Sequence, residues 1–183
     1  LAHYHAVIYA VGAQSDRHMN IPGEDLPGSH AATEFVGWYN AHPDYRDLEF
    51  ELSGKRAIVI GNGNVAMDVA RILASTAEEL HSTDIAAHAL DALRDSQVEE
   101  IIVLGRRGPV QAAFTNIELK ELGHLSDANV HIAPDEIALD ALSQADLNGG
   151  GNKTTAKNIK TMQEYAAAEL SSEKKRTVTL RFL

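Results

Sequence analysis

The sequence lacks cysteine, long apolar runs and any excess of positive charge. The absence of cysteine from its 183 residues excludes disulfide frameworks, thiolate-bound zinc, cysteine-ligated iron–sulfur clusters and a cysteine nucleophile. No apolar run approaches the roughly 18 residues that a membrane-spanning helix needs. Hydrophobic residues make up 44% and charged residues 23% of the chain, which is typical of a globular domain and excludes a disordered one.

The chain is acidic overall. Its 26 acidic and 16 basic side chains give a formal net charge of -10. A potential of this sign disfavours non-specific binding to nucleic acid or to an anionic membrane surface. Residues 151–183 carry seven basic and three acidic side chains, so the acidic excess lies in residues 1–150. We therefore expect no nucleic-acid partner. The lack of a long apolar run predicts that the chain has no membrane span.

The two ends of the chain both indicate strands. The first residue is Leu1 rather than an initiator methionine, and residues 5–11 form an apolar run typical of a buried strand. Residues 178–183 have the same character. We therefore expect a piece of a longer protein, so that targeting segments of the parent cannot be judged from this sequence.

A loop and a short helix follow the first apolar run. Residues 20–30 hold two Pro-Gly pairs, which are typical of a connecting loop. The spacing predicts a helix over residues 31–39 with Phe35, Trp38 and Tyr39 on one side. We expect this aromatic cluster to pack in the core or at a domain interface, and ligand stacking is the alternative.

Strands and helices alternate over the rest of the chain. The predicted strands are residues 55–60, 100–104, 129–132 and 178–183. The predicted helices are residues 67–73, 76–96 with a break near 82–84, 115–122 with Gly123 as the stop, and 158–170, with a polar loop over 143–154. This alternation favours an α/β fold, a Rossmann-like doubly wound parallel sheet with helices on both faces.

A glycine-rich turn joins the strand over residues 55–60 to the next helix. Gly61, Gly63 and Ala66 have the spacing G-x-G-x-x-A. In such a turn the first glycine permits the sharp bend, and the second lets a diphosphate approach the backbone at a helix N-terminus. The turn therefore predicts a dinucleotide site, and a glycine-rich turn without a nucleotide is the alternative.

Two arginines follow the second predicted strand. In an NAD-binding unit this strand usually ends in an acidic residue that accepts hydrogen bonds from the ribose 2′-hydroxyl. Here it ends in Arg106 and Arg107, whose guanidinium groups favour a 2′-phosphate. The pair predicts NADP rather than NAD, and surface arginines paired with nearby acids are the alternative. The separation from Ala66 exceeds the usual one, so residues 74–98 must form an extra helical excursion.

Together these motifs carry a resemblance to a known family. Residues 61–73, 105–109 and 113–122 resemble the NADP-binding domain of adrenodoxin-reductase-like ferredoxin–NADP reductases, which are FAD-dependent. Residues 7–13 and 21–24 are similar to that family's segment at the junction with its FAD domain. The resemblance implies a fragment of a two-domain flavoenzyme: a strand and turn at the FAD-domain junction (1–14), a connecting segment (15–52) and an NADP-binding domain (53–183). We expect the NADP-binding domain to be truncated at its C-terminal end.

The resemblance also implies roles for individual residues. The residues expected to contact the NADP diphosphate are Asn62, Gly63, Asn64 and Val65, beside the bend at Gly61. Arg106 and Arg107 are expected to bind the 2′-phosphate, and Glu118 matches an NADP contact of the family. Glu121 matches an acidic residue near the nicotinamide–flavin junction, which makes it the candidate catalytic residue. A capping box, in which Glu118 bonds the backbone of Thr115, is the alternative for Glu118.

The function implied for the parent enzyme is hydride transfer from NADPH to FAD, followed by single-electron transfer to a ferredoxin-type iron–sulfur protein. The chain by itself is expected to bind NADP but to be inactive, because the FAD-binding motif lies outside it. A non-catalytic NADP-sensing domain is the alternative. We expect a cytoplasmic location, with the mitochondrial matrix as the alternative.

Two further features are assigned no part in that chemistry. The nine histidines show no metal-ligand spacing, so we expect no metal site. The basic stretch 174–176 is expected to flank a strand, and docking of an acidic electron acceptor is its alternative.

Overall fold

The computed structural model describes residues 3, 5–9, 16–149 and 153–182. It contains a parallel sheet of four strands in the order β1-β2-β4-β3. The strands are β1 (Arg56–Ile60), β2 (Glu100–Gly105), β3 (Ala128–His131) and β4 (Arg176–Phe182). Runs of β-branched and leucine residues, expected for buried parallel strands, form β1 and β2. The predicted parallel α/β sheet is confirmed.

Seven helices accompany the strands in the described residues. They are α1 (Ala32–Tyr39), α2 (Asn64–Ala74), α3 (Ala77–His81), α4 (Ala87–Arg94), α5 (Asn116–Gly123), α6 (Ala141–Asn148) and α7 (Lys153–Ala167). The predicted break near residues 82–84 lies between α3 and α4. The predicted helix over 115–122 corresponds to α5, which is capped by Thr115.

One face of the sheet carries the core. Helices α2 and α5 contact each other, α5 contacts α7, and all of them contact the sheet. Strand residues facing this layer, such as Ile101 and Val178, are fully buried, whereas Ile58 and Ile60 are 60% and 48% exposed. The opposite face of β1 is therefore open to solvent at these two residues.

The apolar run at the start of the chain does not form the expected strand where it is described. Residues 5–9 have no strand conformation, and Val7, Ile8 and Tyr9 are 54%, 89% and 86% exposed. A β-strand needs a neighbouring strand for its hydrogen bonds, and the described sheet offers none to this segment. The rest of the prediction, residues 10–13, lies outside the described residues.

The predicted connecting segment, residues 15–52, packs against the helices next to the sheet through α1. This helix contacts α2 and α4, and Phe35 and Trp38 are buried. The Trp38 ring lies 5.5 Å from that of Phe35 and 4.9 Å from that of Phe50. The prediction that these aromatic residues pack in the core is therefore confirmed for Phe35 and Trp38.

The polar loop predicted over residues 143–154 is wrong for its first half, which belongs to α6. The Asp140 carboxylate caps this helix by accepting a 2.7 Å hydrogen bond from the Ser143 N–H. No residue of α6 is buried. The helix therefore lacks the apolar periodicity on which a sequence-based prediction depends.

The helical excursion between β1 and β2 is fixed by a capping box at the start of α3. The Thr76 hydroxyl accepts from the Glu79 N–H at 3.2 Å, and the Glu79 carboxylate accepts from the Thr76 N–H at 2.8 Å. The same carboxylate accepts a 2.9 Å bond from the Ser126 N–H, which ties α3 to the turn before β3. Partial burial by itself raises the pKa of Glu79, but these hydrogen bonds outweigh it and hold the pKa below its ordinary value.

Replacing Glu79 with alanine is expected to lower the free energy of unfolding by about 1–2 kcal/mol at neutral pH. A carboxylate whose pKa is lowered on folding contributes stability that is present above its unfolded pKa and lost as the pH falls through the folded value. The difference from the unmodified chain should therefore shrink in acid. Urea unfolding of both chains at neutral pH and near pH ~3.5 measures this difference in the free energy of unfolding.

Glu78→Ala is the matched control for this prediction, because Glu78 is an exposed acid in the same first turn of α3. It removes the same charge beside the helix N-terminus without touching the box. Equal destabilisation by the two substitutions would show that the box contributes nothing specific.

Candidate nucleotide-binding site

The bend after β1 has the conformation that the glycine spacing predicts. Gly61 has a φ of 140°, a region that side chains other than glycine rarely adopt. Its N–H donates a 2.9 Å hydrogen bond to the carbonyl of Leu104, which joins the bend to the end of β2. The strand, the glycine turn and helix α2 follow one another directly, which is the context that a dinucleotide fingerprint requires.

Gly63 leaves open space in front of the N-terminus of α2. It is the N-cap residue of this helix, and no side chain caps it. A Cβ atom placed on Gly63 would meet no atom of the described residues within 4 Å. The first N–H groups of α2 have no partner within the helix and carry its partial positive charge. The backbone at Asn64 and Val65 thus faces a space suited to an anion such as a diphosphate.

The two asparagines of the turn contact different parts of the structure. The Asn64 Oδ1 atom accepts a 2.7 Å hydrogen bond from the Thr115 N–H, and the Asn62 carbonyl accepts a 2.9 Å bond from the Ala113 N–H. The side-chain oxygen of Asn64 is therefore engaged within the protein. This bond leaves the donors of Asn64, its backbone N–H and its side-chain amide N–H groups, for an anion.

The Asn62 side chain joins the glycine turn to the end of β2. A Cβ atom on Gly105 would lie 2.7 Å from Asn62 Nδ2, so Gly105 gives this amide the room it occupies. The Nδ2 atom is buried and has no acceptor among the described residues. A buried donor without a partner is uncommon in native structures, and such groups often lie at functional sites. The turn and the residues that follow β2 are therefore in direct contact.

Arg106 and Arg107 follow Gly105 immediately, at the carboxyl end of the sheet beside the glycine turn. Both side chains are exposed. Among the described residues, the ion pairs within 4.0 Å include neither arginine. The alternative in which they pair with nearby acids therefore has no support in the described structure. Two free guanidinium groups lie where the ribose of a dinucleotide is bound in this fold class.

Only one of the two hydrogen bonds of the predicted capping box at Thr115 and Glu118 is present. The Thr115 hydroxyl caps α5 by accepting from the Glu118 N–H at 3.4 Å. The Thr115 N–H, which a complete capping box would give to the Glu118 carboxylate, is donated to Asn64 instead. The carboxylate is thereby left for other contacts. Burial first, and then the neighbouring Asp68 and Glu121 carboxylates, raise the pKa of Glu118 against the opposing effect of Arg71.

Glu121 lies one turn further along α5 and faces α2. Its carboxylate is 3.3 Å from Arg71 Nε, and the same guanidinium group contacts Asp68 Oδ1 at 3.1 Å. Arg71, Glu121 and His124 line a cavity of about 210 Å³ between α2, α3 and α5. The structure thus places Glu118 and Glu121 on one helix, with Glu118 nearer to the N-terminus that contacts the glycine turn.

Sequence reasoning missed Asp68 and Arg71. They lie three residues apart on α2, a spacing that places two side chains on one side of a helix. That spacing was a usable signal for the ion pair between them. Their contact with α5 joins residues far apart in the chain and has no local pattern.

The basic stretch 174–176 lies at the start of β4, at the edge of the sheet opposite the glycine turn. Lys174 Nζ donates to the carbonyls of Leu125 and Ala128, each at 2.9 Å. Arg176 pairs with Asp127 at 3.5 Å. These side chains therefore flank the strand, as predicted, and two of the three basic groups are engaged within the fold.

The histidine, aspartate and glutamate side chains of the described residues form no group that could hold a metal ion. No helix among them has the length and apolar character of a membrane span.

Comparison with known proteins decides the family. A family model described as pyridine nucleotide-disulphide oxidoreductase matches residues 2–104, more than half of the chain. The chain belongs to this family. Its adrenodoxin-reductase-like character is confirmed by a relative from Arabidopsis thaliana, the mitochondrial NADPH:adrenodoxin oxidoreductase. The two proteins are 42% identical over 93% of this chain and 35% of that relative.

A relative from Mycobacterium tuberculosis is more similar still. The NADPH-ferredoxin reductase FprA of Mycobacterium tuberculosis is 55% identical over 98% of this chain. The solved structure of M. tuberculosis FprA in complex with NADPH superposes with a TM-score of 0.88 at 53% identity, over 98% of this chain and 39% of that one. The chain therefore spans about two fifths of the length of these relatives.

Proposed function

We propose that this chain binds NADP(H) at the carboxyl edge of its sheet, as the nucleotide-binding part of a ferredoxin–NADP reductase. The observation that carries the proposal is one juxtaposition. The uncapped N-terminus of α2 at Gly63 lies beside two exposed arginines that form no ion pair in the described structure. One group suits a diphosphate, and the other suits a 2′-phosphate.

Each proposed contact uses a different property of the chain. The N–H groups at the start of α2 would hold the diphosphate, and Gly63 leaves the space it needs. Arg106 and Arg107 would bind the 2′-phosphate, while Glu118 lies at the N-terminal turn of α5 for a further contact with the coenzyme. Bound NADPH supplies a hydride. Glu121 is the candidate catalytic residue near its nicotinamide end, and Arg71 holds its carboxylate in an ion pair.

For the whole enzyme we infer an FAD domain that accepts the hydride and a ferredoxin-type protein that receives single electrons. Support comes from the names of the relatives, which are NADPH-ferredoxin and NADPH:adrenodoxin reductases. The alternative of a non-catalytic sensing domain has no observation in its favour. We also infer a cytoplasmic location, because the FprA relative of M. tuberculosis, a bacterial protein, is 55% identical, whereas the mitochondrial relative is 42% identical.

A fluorescence titration of the purified chain with NADPH tests the proposal, together with retention on immobilised 2′,5′-ADP. We expect saturable binding, retention that free NADP reverses, and weaker binding of NAD. A chain that is folded by circular dichroism but neither binds NADPH nor is retained would contradict the proposed function.

A further inference from the structure

Residues 113–116, here called the bridging segment, connect the glycine turn to α7. On one side, the Ala113 N–H donates to the Asn62 carbonyl at 2.9 Å. The Thr115 N–H donates to Asn64 Oδ1 at 2.7 Å. The segment therefore contacts both asparagines that flank Gly63.

On the other side, two buried polar residues of α7 hold the same segment. Asn158 is only 2% exposed, and its Nδ2 donates a 2.9 Å hydrogen bond to the Phe114 carbonyl. Thr161 is 5% exposed, and its hydroxyl accepts a 3.0 Å bond from Asn116 Nδ2. All four residues of the bridging segment are thus hydrogen-bonded, alternately to the glycine turn and to α7.

Burying the Asn158 amide is energetically unfavourable, so packing alone does not explain why an amide occupies this position. Its Oδ1 atom is buried and has no hydrogen-bond partner among the described residues. A buried polar atom without a partner destabilises a protein, and an apolar side chain at this position would avoid that cost. The amide is therefore best explained by its bond to the Phe114 carbonyl, which orients the bridging segment.

We infer that Asn158 and Thr161 are positioning residues of the nucleotide site, although neither lies in a motif that indicates nucleotide binding. They hold the bridging segment in place through hydrogen bonds. The segment in turn hydrogen-bonds to Asn62 and Asn64, and so orients the backbone N–H groups between these two residues. A site held in its binding geometry before the ligand arrives binds more tightly, because less ordering is needed on association. This inference rests on the proposed function.

Two substitutions and a control from the same helix test it in the full chain. Asn158→Ala and the nearly isosteric Thr161→Val each remove one hydrogen bond to the bridging segment. Tyr165→Phe removes one hydrogen bond from α7 to α5 beyond the segment, because the Tyr165 hydroxyl donates to the Leu119 carbonyl at 3.1 Å. We expect the first two to weaken NADP binding by about tenfold and the control by less than about twofold.

A second readout needs no nucleotide. Hydrogen exchange at the Thr115 amide should accelerate by about tenfold in Asn158→Ala and Thr161→Val, and remain unchanged in Tyr165→Phe. A chain that fails to bind NADP contradicts the proposed function, and the exchange rates still decide whether α7 positions the segment. The inference is overturned if the two substitutions have the same effect as the control on the exchange rate of the Thr115 amide and on the affinity for NADP. It is also overturned if the loss of affinity in all three variants merely follows their loss of thermal stability. If Asn158→Ala does not fold, Thr161→Val decides alone.

Discussion

Replacing Arg106 and Arg107 together with alanine is expected to weaken NADP binding by about a hundredfold or more and to leave NAD binding unchanged. A charge-assisted hydrogen bond contributes about 1.5–3 kcal/mol, and about 1.4 kcal/mol corresponds to a factor of ten. Two such groups on one phosphate therefore account for a change of this size. NAD lacks the 2′-phosphate, so its affinity provides the internal reference.

The structure indicates that this double substitution affects nucleotide binding without affecting the fold. Both arginines are exposed, and neither takes part in an ion pair of the described residues, so their removal should leave the fold intact. Lys55→Ala with Lys175→Ala is the matched control. Those two exposed residues precede β1 and β4 at the opposite edge of the sheet, and their loss changes the net charge by the same amount. Lys55 pairs with Glu99 at 2.9 Å, but both side chains of that pair are exposed, so its loss should cost little stability.

Isothermal titration calorimetry with NADP, NAD and 2′-AMP measures the effect. The arginine variant should lose affinity for NADP and 2′-AMP alone, whereas the lysine control should bind all three ligands like the unmodified chain. Equal affinity of the unmodified chain for NADP and NAD would remove the basis for the arginine assignment. Equal losses in the two double variants would show that only overall charge matters.

The glycine turn and the arginine pair could be predicted together from the sequence because their signals are local. A β-branched strand, two glycines and an amphipathic helix follow one another without a gap, and each element restricts the next. Once β1 and β2 are parallel neighbours, their carboxyl ends meet at one edge. The proximity of Gly61 to Arg106 is then a consequence of the pairing.

The roles within the site could not be predicted, because they depend on contacts between distant residues. The pattern at Thr115 and Glu118 satisfies a capping box, yet Asn64, on another helix, takes the N–H that would complete it. Asn158 is a polar residue, and asparagine side chains are mostly exposed in folded proteins. Its burial follows from the packing of α7 against the bridging segment.

One predicted strand did not form, because strand propensity alone does not make a strand. The apolar residues 5–9 have strand propensity, but a strand forms only where another strand pairs with it, and the described sheet provides none. Propensity and alternation specify which elements form, and pairing specifies where they lie.

The second large effect is expected at Gly63. Gly63→Ala should weaken the binding of NADP and NAD alike by about ten- to a hundredfold, because the added methyl group occupies the space through which the diphosphate approaches the N-terminus of α2. Within the described part of the chain the methyl group would meet no atom within 4 Å, and the φ of −101° is accessible to alanine. The change in the free energy of unfolding should therefore stay within about 1 kcal/mol.

Gly54→Ala is the matched control, since a Cβ atom there also meets no protein atom within 4 Å and Gly54 precedes β1 at the opposite edge of the sheet. It should leave the affinity for both dinucleotides unchanged. Binding of 2′-AMP, which has no diphosphate, should survive Gly63→Ala, whereas the double arginine substitution should abolish it. The two sets of variants thus separate two contacts of one ligand. A Gly63→Ala chain that binds NADP as tightly as Gly54→Ala would place the diphosphate away from this helix.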